Sequence, residues 1–209
     1  ISLRAIKTLC DVDVILVEDT RVTQKLLQRL GENGHRVNAR LTSYHAHTND
    51  DRKFDIMKLL LDGKNIALVT DAGTPGISDP GNELINFILE KEPDINVIPI
   101  PGASALAAAL SISGINTNSF VFLGFLPKKG NTKLFDWLRL GKITFCFYDS
   151  PKRILKSLSI LVNEFDDPKI VLARELTKMH ETIYRGKTSE VLEKLPKSIK
   201  GEIVVIVEL

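Results

Sequence analysis

Residues Ile66–Gly81 read IALVTDAGTPGISDPG. Ile66–Val69 is an apolar run of strand length without polar alternation, the pattern of a strand covered on both faces in a parallel sheet. Asp71–Gly81 then holds three glycines and two prolines, too many for a helix or strand. It reads as a loop leaving the carboxyl end of that strand, where open α/β sheets bind ligands. Small residues let backbone amides approach a ligand, and Asp71 and Thr74 offer polar contacts. A rigid turn that only connects strand to helix uses the same residues, so the loop by itself leaves both readings open.

Working outward toward the N-terminus, Asn49 and Asp50 cap a helix reaching Leu61, and Leu41–Tyr44 is a short strand. Thr20–Leu30 has helical spacing, Val12–Val17 is a second apolar strand, and Ser2 is an N-cap for a helix through Leu9. Toward the C-terminus come a helix over Asn82–Glu90 and a strand over Ile95–Ile100. The stretch PGASA at Pro101–Ala105 repeats the strand-end logic, and Ala103–Ser113 is an alanine-rich helix closed by Gly114. This alternation predicts a parallel sheet with crossover helices. After Gly114 the rhythm restarts, with strands at Phe120–Leu123, Ile143–Tyr148, Lys169–Ala173 and Ile203–Glu208. Helices are predicted over Thr132–Leu140, Pro151–Asn163 and Ser189–Leu195, with a loop or hairpin around Met179–Gly186. The expected domains are residues 1–115, with a first strand apparently missing ahead of the opening helix, and residues 116–209.

The chain has 209 residues, 44% hydrophobic and 26% charged, the balance of a folded globular protein. Its net charge of +2, from 28 basic against 26 acidic residues, announces no nucleic-acid binder, so any RNA contact must use a local patch. Lys128, Lys129, Lys133, Lys152 and Arg153 supply such charge, with an ordinary solvated surface as the alternative. Cys10 and Cys146 form neither a disulfide framework nor a metal-ligand set, which favours a reducing compartment. No apolar run reaches the length of a membrane span and no signal-peptide pattern opens the chain, so a cytoplasmic protein without a membrane partner is expected.

No G-x-G-x-x-G follows a strand, no phosphate-binding G-x-x-x-x-G-K-[ST] occurs, and no cysteine or histidine cluster has zinc spacing. His45 and His47 lack an evident third ligand, so no metal is expected. Glu18, Asp19, Thr20 and Arg21 follow the Val12–Val17 strand and belong at the same sheet edge, where Asp19 or Thr20 also serves as a helix cap. Arg174, Glu175, Lys178 and Glu181 follow the Lys169–Ala173 strand, and a solvated salt-bridge cluster explains them equally well.

Eight segments taken in order resemble one family: VEDTR at 17–21, SYH at 43–45, LVTDAGTP at 68–75, SDPG at 78–81, PGASA at 101–105, GFLP at 124–127, FYDSPKR at 147–153 and ARELTK at 173–178. The chain is similar in each to the ribosomal RNA small subunit methyltransferase I family of the tetrapyrrole methylase superfamily. The resemblance implies an α/β fold of two α/β domains of the tetrapyrrole methylase type, with a parallel sheet in the N-terminal domain and a mixed sheet in the C-terminal one. It implies a homodimer, with S-adenosylmethionine as cofactor in the cleft between domains. The implied reaction is methylation of the ribose 2'-hydroxyl of a cytidine in the decoding region of 16S rRNA, within the small ribosomal subunit.

Carried over residue by residue, the implied cofactor contacts are Asp71, Ala72, Gly73, Thr74, Ile77, Ser104, Ala105, Tyr148 and Leu176. The substrate side is Glu18, Asp19, Arg21, His45, Lys178 and Glu181, with Glu18, Asp19, His45 and a neutral Lys178 all open as the base. The chain departs from the family where Thr48 precedes Asn49, where Asp149 replaces the usual Glu, and in lacking the first strand and a small C-terminal extension. The competing readings are a methylase of a tetrapyrrole or another small molecule, and a non-catalytic RNA-binding ribosome-assembly protein.

Overall fold

A computed structural model describes residues 1–45, 48–126 and 132–209, and the chain divides into two units, Ile1–Ser104 and Ala105–Leu209. In the first, strands β1 (Val14–Val17), β2 (Arg40–Ser43) and β3 (Ile66–Val69) form a parallel sheet in the order β2-β1-β3. Helices α1 (Leu3–Asp11), α2 (Thr20–Glu32), α3 (Asp50–Leu61) and α4 (Asn82–Lys91) complete it. Three of them start as the sequence predicts. The side chains of Ser2, Asp19 and Asn49 accept hydrogen bonds from the first-turn amides of Ala5, Arg21 and Arg52. β1 is buried on both faces: Ile15 and Val17 pack with Leu9 and Leu30, while Val14 and Leu16 pack with Ile56, Leu84 and Ile88. Two covered faces explain why this strand carries no polar alternation.

One predicted strand is absent. Ile95–Ile100 joins no ladder, and Val97 and Ile98 are 46% and 63% exposed. β-branched composition suits a pleated surface, but a strand exists only where a neighbour offers a matching row of donors and acceptors. β1 is flanked on both sides already, and among the described residues β3 ends the sheet.

The second unit holds α5 (Ala105–Ser111), β4 (Val121–Phe125), α6 (Thr132–Gly141), β5 (Phe145–Asp149) and α7 (Ile154–Glu164). It continues with β6 (Lys169–Arg174), β7 (Thr182–Lys187), α8 (Thr188–Lys194) and β8 (Ile203–Glu208). Its sheet runs β4-β5-β8-β6-β7, with β4 and β5 parallel and β8 antiparallel to both β5 and β6. One face buries Phe145, Phe147, Leu172 and Val205 against Leu138 of α6, Leu158 of α7 and Val191 of α8. The other packs Cys146, Val171, Ala173, Val204 and Ile206 with Ala109 of α5 and Ile115. That packing ties α5 to the second unit, so the division falls at Ser104/Ala105, ahead of the boundary that sequence rhythm places at 115/116. The Met179–Gly186 region resolves into β7, hydrogen-bonded antiparallel to β6.

Candidate active site

In the first unit the register sets Val17 opposite both Ser43 and Val69, so all three strands end at one level. The segments that follow them, starting at Glu18, Tyr44 and Thr70, therefore leave from one edge. Tyr44 donates its amide to Val17 O (2.9 Å) and buries its side chain, and burial raises its phenol pKa. His45 is exposed beyond it; His45 N donates to Thr48 Oγ1 and Thr48 N donates to His45 O, both at 2.9 Å. His47 lies outside the described residues. No group of three or more metal-ligating side chains occurs among the described ones.

Asp19 joins two of these segments, because its amide donates to Asp71 Oδ1 at 3.3 Å. Its own carboxylate caps α2 and takes both prongs of the Arg21 guanidinium, Nε at 3.1 Å and Nη2 at 2.6 Å. Hydrogen bonds from the Arg21 side chain, then from its backbone, pull the Asp19 pKa down to about 2. Such a group is anionic at neutral pH and a poor proton acceptor.

The Asp71–Gly81 loop is constrained by its glycines. Gly73 and Gly76 have φ of +73° and +80°. A Cβ on Gly76 would overlap the Asn82 side chain, which donates to Gly76 O. Thr70 Oγ1 donates to Ala72 O, and Thr74 Oγ1 reaches Ala103 O at 3.2 Å, fastening this loop to the PGASA stretch. Ala72 and Gly73 lie exposed within it, and Ile77 is 46% exposed. The Asp71–Thr74 backbone is thus open to a ligand and held in shape from behind.

In the second unit, Ala105, Tyr148 and Leu176 pack on one apolar cluster, although they are far apart in sequence. Tyr148 sits edge-on to Phe122 and Phe125, with ring centroids 4.9 and 5.7 Å away. Lys178 lies between two carboxylates, 3.0 Å from Glu175 Oε1 and 2.9 Å from Glu202 Oε2. Bonding to Glu202, ahead of a desolvation that opposes it and of Glu175, raises the Lys178 pKa. Lys178 is therefore held as a cation. Glu181 Oε2 accepts the Thr177 amide at 2.6 Å.

Part of the expected basic patch falls on described residues. Lys128 and Lys129 lie outside the described residues, and Lys133 and Lys152 are exposed. Arg153 turns inward instead, donating to Leu126 O and lying 3.5 Å from buried Asp149.

Comparison with known proteins places this architecture. The family model described as Tetrapyrrole (Corrin/Porphyrin) Methylases matches residues 1–192. Proteins named Ribosomal RNA small subunit methyltransferase I match nearly the whole chain: 38% identity for Thermotoga maritima, covering 99% of this chain and 90% of that one. For Synechocystis the identity is 42%, covering 98% of this chain and 72% of the relative. The chain belongs to this methyltransferase I family of tetrapyrrole methylases.

Solved structures share the fold of this family at lower identity. The methyltransferase CobJ aligns with a TM-score of 0.70 at 19% identity, covering 100% of this chain and 87% of that one. A uroporphyrin-III C-methyl transferase from Thermus thermophilus, complexed with S-adenyl homocysteine, aligns at 0.61 and 18%, covering 99% and 90%. S-adenosylmethionine is the methyl donor of this family, and the residues present suit such a ligand. Within the first unit, the Asp71–Thr74 segment offers backbone polar groups and a carboxylate to a charged, hydroxylated ligand. Within the second, taken by itself, Ala105, Tyr148 and Leu176 share an apolar, partly aromatic cluster. Two participants escaped sequence reasoning. Glu202 precedes β8, and only the tertiary fold brings it to Lys178; Phe122 shows no signal beyond ordinary core apolarity.

Proposed function

We propose that the protein transfers a methyl group from S-adenosylmethionine to the ribose 2'-hydroxyl of a cytidine in the decoding region of 16S rRNA, acting on the small ribosomal subunit as a cytoplasmic homodimer. The observation that carries the reading is the first-unit edge, where Glu18, Asp19, His45 and the Asp71–Thr74 loop leave strands of equal height and Asp19 bonds Asp71. The RNA substrate is favoured over a tetrapyrrole because identity reaches 38 to 42% with the rRNA enzymes, against 18% with the uroporphyrin-III C-methyl transferase. No helix among the described residues is long and apolar enough to cross a membrane.

The chemistry supplied by S-adenosylmethionine when bound is an electrophilic methyl on a sulfonium, open to in-line displacement. The work left to this chain is chiefly positioning, worth about 7–11 kcal/mol in favourable intramolecular cases. We assign cofactor binding to Asp71, Ala72, Gly73, Thr74, Ile77 and Ser104 of the first unit and to Ala105, Tyr148 and Leu176 of the second. A base taking the 2'-hydroxyl proton adds roughly 10²–10⁴-fold. Asp19, a weakly basic carboxylate paired with Arg21, and Lys178, held cationic, suit that role poorly, which leaves Glu18 and His45. Arg21, 84% exposed at its side chain, is placed to meet a phosphate.

The test is calorimetric titration with S-adenosylmethionine, followed by transfer of labelled methyl to small subunits lacking the modification. Label on a cytidine ribose is the expected result. Cofactor binding without RNA labelling points to a small-molecule methylase, and absence of binding overturns the reading.

A further inference from the structure

The connection between β6 and β7 is built in an unusual way. Glu175 and Thr177 both have left-handed backbones, φ +51° and +66°, although neither is glycine. Residues with a Cβ avoid this region unless their surroundings hold them there, and such positions gather at functional sites. Here the surroundings are explicit. Glu175 Oε1 accepts the Glu202 amide at 2.8 Å and the Lys178 ammonium at 3.0 Å, while Glu175 N donates to Glu202 O at 2.9 Å. The Thr177 amide is taken by Glu181. Arg174 fastens the base of the connection through Lys200 O, His180 O and Thr182 Oγ1. Gly201, at φ +93°, lies so close that a Cβ there would overlap the Glu175 side chain. The residue carried between the two left-handed positions is Leu176, packed on the cluster that includes Tyr148 and Ala105.

We infer that Glu175 is a positioning residue for cofactor binding: its carboxylate, bridging the Glu202 amide and the Lys178 ammonium, holds Leu176 in its binding arrangement. The inference rests on the proposed reading that Leu176 contacts S-adenosylmethionine. It gives Lys178 a structural charge to carry in place of a proton to accept. It also accounts for Gly201, whose missing side chain leaves room for the carboxylate.

The experiment measures S-adenosylmethionine affinity by calorimetry, steady-state KM and kcat, and cofactor-free melting temperature for the whole chain and its Glu175→Ala, Glu175→Gln and Gly201→Ala variants. Glu175→Ala is expected to weaken cofactor binding about tenfold or more, because only a fraction of loops then hold the competent shape. Its KM for the cofactor rises in step while kcat at saturation changes far less. Glu175→Gln falls between, since the amide oxygen still accepts from Glu202 but offers Lys178 no charge. Gly201→Ala displaces the carboxylate from outside the loop and reproduces the loss. Wild-type affinity in a folded Glu175→Ala overturns the inference, as does an affinity loss that merely tracks melting temperature across the three. If Glu175→Ala does not fold, unchanged affinity in the other two variants overturns it equally. A wild-type chain that binds no cofactor defeats the underlying reading instead.

Discussion

The two units each carry loops with proposed binding roles on a sheet, with different reserves of packing. The second has five strands, and its larger apolar cluster draws on three helices, with Phe145, Phe147, Leu158, Leu172 and Val205 all at 0% exposure. Among the described residues the first has three strands, of which only β1 is buried throughout; all four residues of β3 are half-buried. Yet β3 carries the glycine-rich loop. The difference teaches that the glycine-rich loop of the first unit takes its shape from left-handed glycines and side-chain-to-backbone bonds on a half-buried strand, whereas the Glu175 connection leaves the buried strand β6 and is closed by an ion pair at the start of buried β8.

The largest effect expected from this contrast is on stability. Phe147→Ala should cost about 3–5 kcal/mol, through lost burial and the cavity left behind. Leu68→Ala, in half-buried β3, should cost about 1–2 kcal/mol for the smaller area involved. Urea unfolding followed by circular dichroism checks both, and equal costs would break the comparison.

Gly81→Ala tests the loop itself. At φ +146° its Cβ would sit 2.7 Å from Leu68 Cδ2, so the substitution displaces the loop proposed to bind cofactor. Affinity for S-adenosylmethionine should fall about tenfold or more through loss of the competent population. The melting behaviour reported by Trp137, the single tryptophan and a residue of the second unit, should stay unchanged.

The acid limb sharpens the contrast further. Asp19 has a folded pKa of about 2, below its ordinary value of 3.8. Its contribution to stability is therefore complete above the unfolded value and is lost as pH falls from about 4 toward 2. Asp19→Asn should flatten that part of the pH–stability curve measured by acid titration. Its partner Arg21 is 84% exposed at the side chain, so the pair is screened by solvent and the change is modest.

The smallest effect is chemical. Burial pushes the Cys146 thiol up to about 12, so in the native protein it should resist a thiol reagent at pH 8, whereas half-buried Cys10 of the first unit should react. Counting modified thiols before and after denaturation decides this.

Much of this was legible in the chain. Strands β3 and β8 fall on the predicted residues, and the caps at Ser2, Asp19 and Asn49 act as read, because period and capping are local properties. The family could be read because its motifs are contiguous. Pairing could not: Ile95–Ile100 has strand composition and no ladder, while β7 gains its place from β6. Arg153, read as a phosphate contact, turns out to face a buried carboxylate that a sequence does not locate.

By itself, then, the sequence determined the α/β alternation, the glycine-rich loop at a strand end and the family, since each is written in neighbouring residues. Only the tertiary structure decided that Asp19 meets Asp71 and that Glu202 joins Glu175 around Lys178. Those contacts join residues up to 52 positions apart, and their partners are chosen by strand register and chain reversal, which no local pattern encodes.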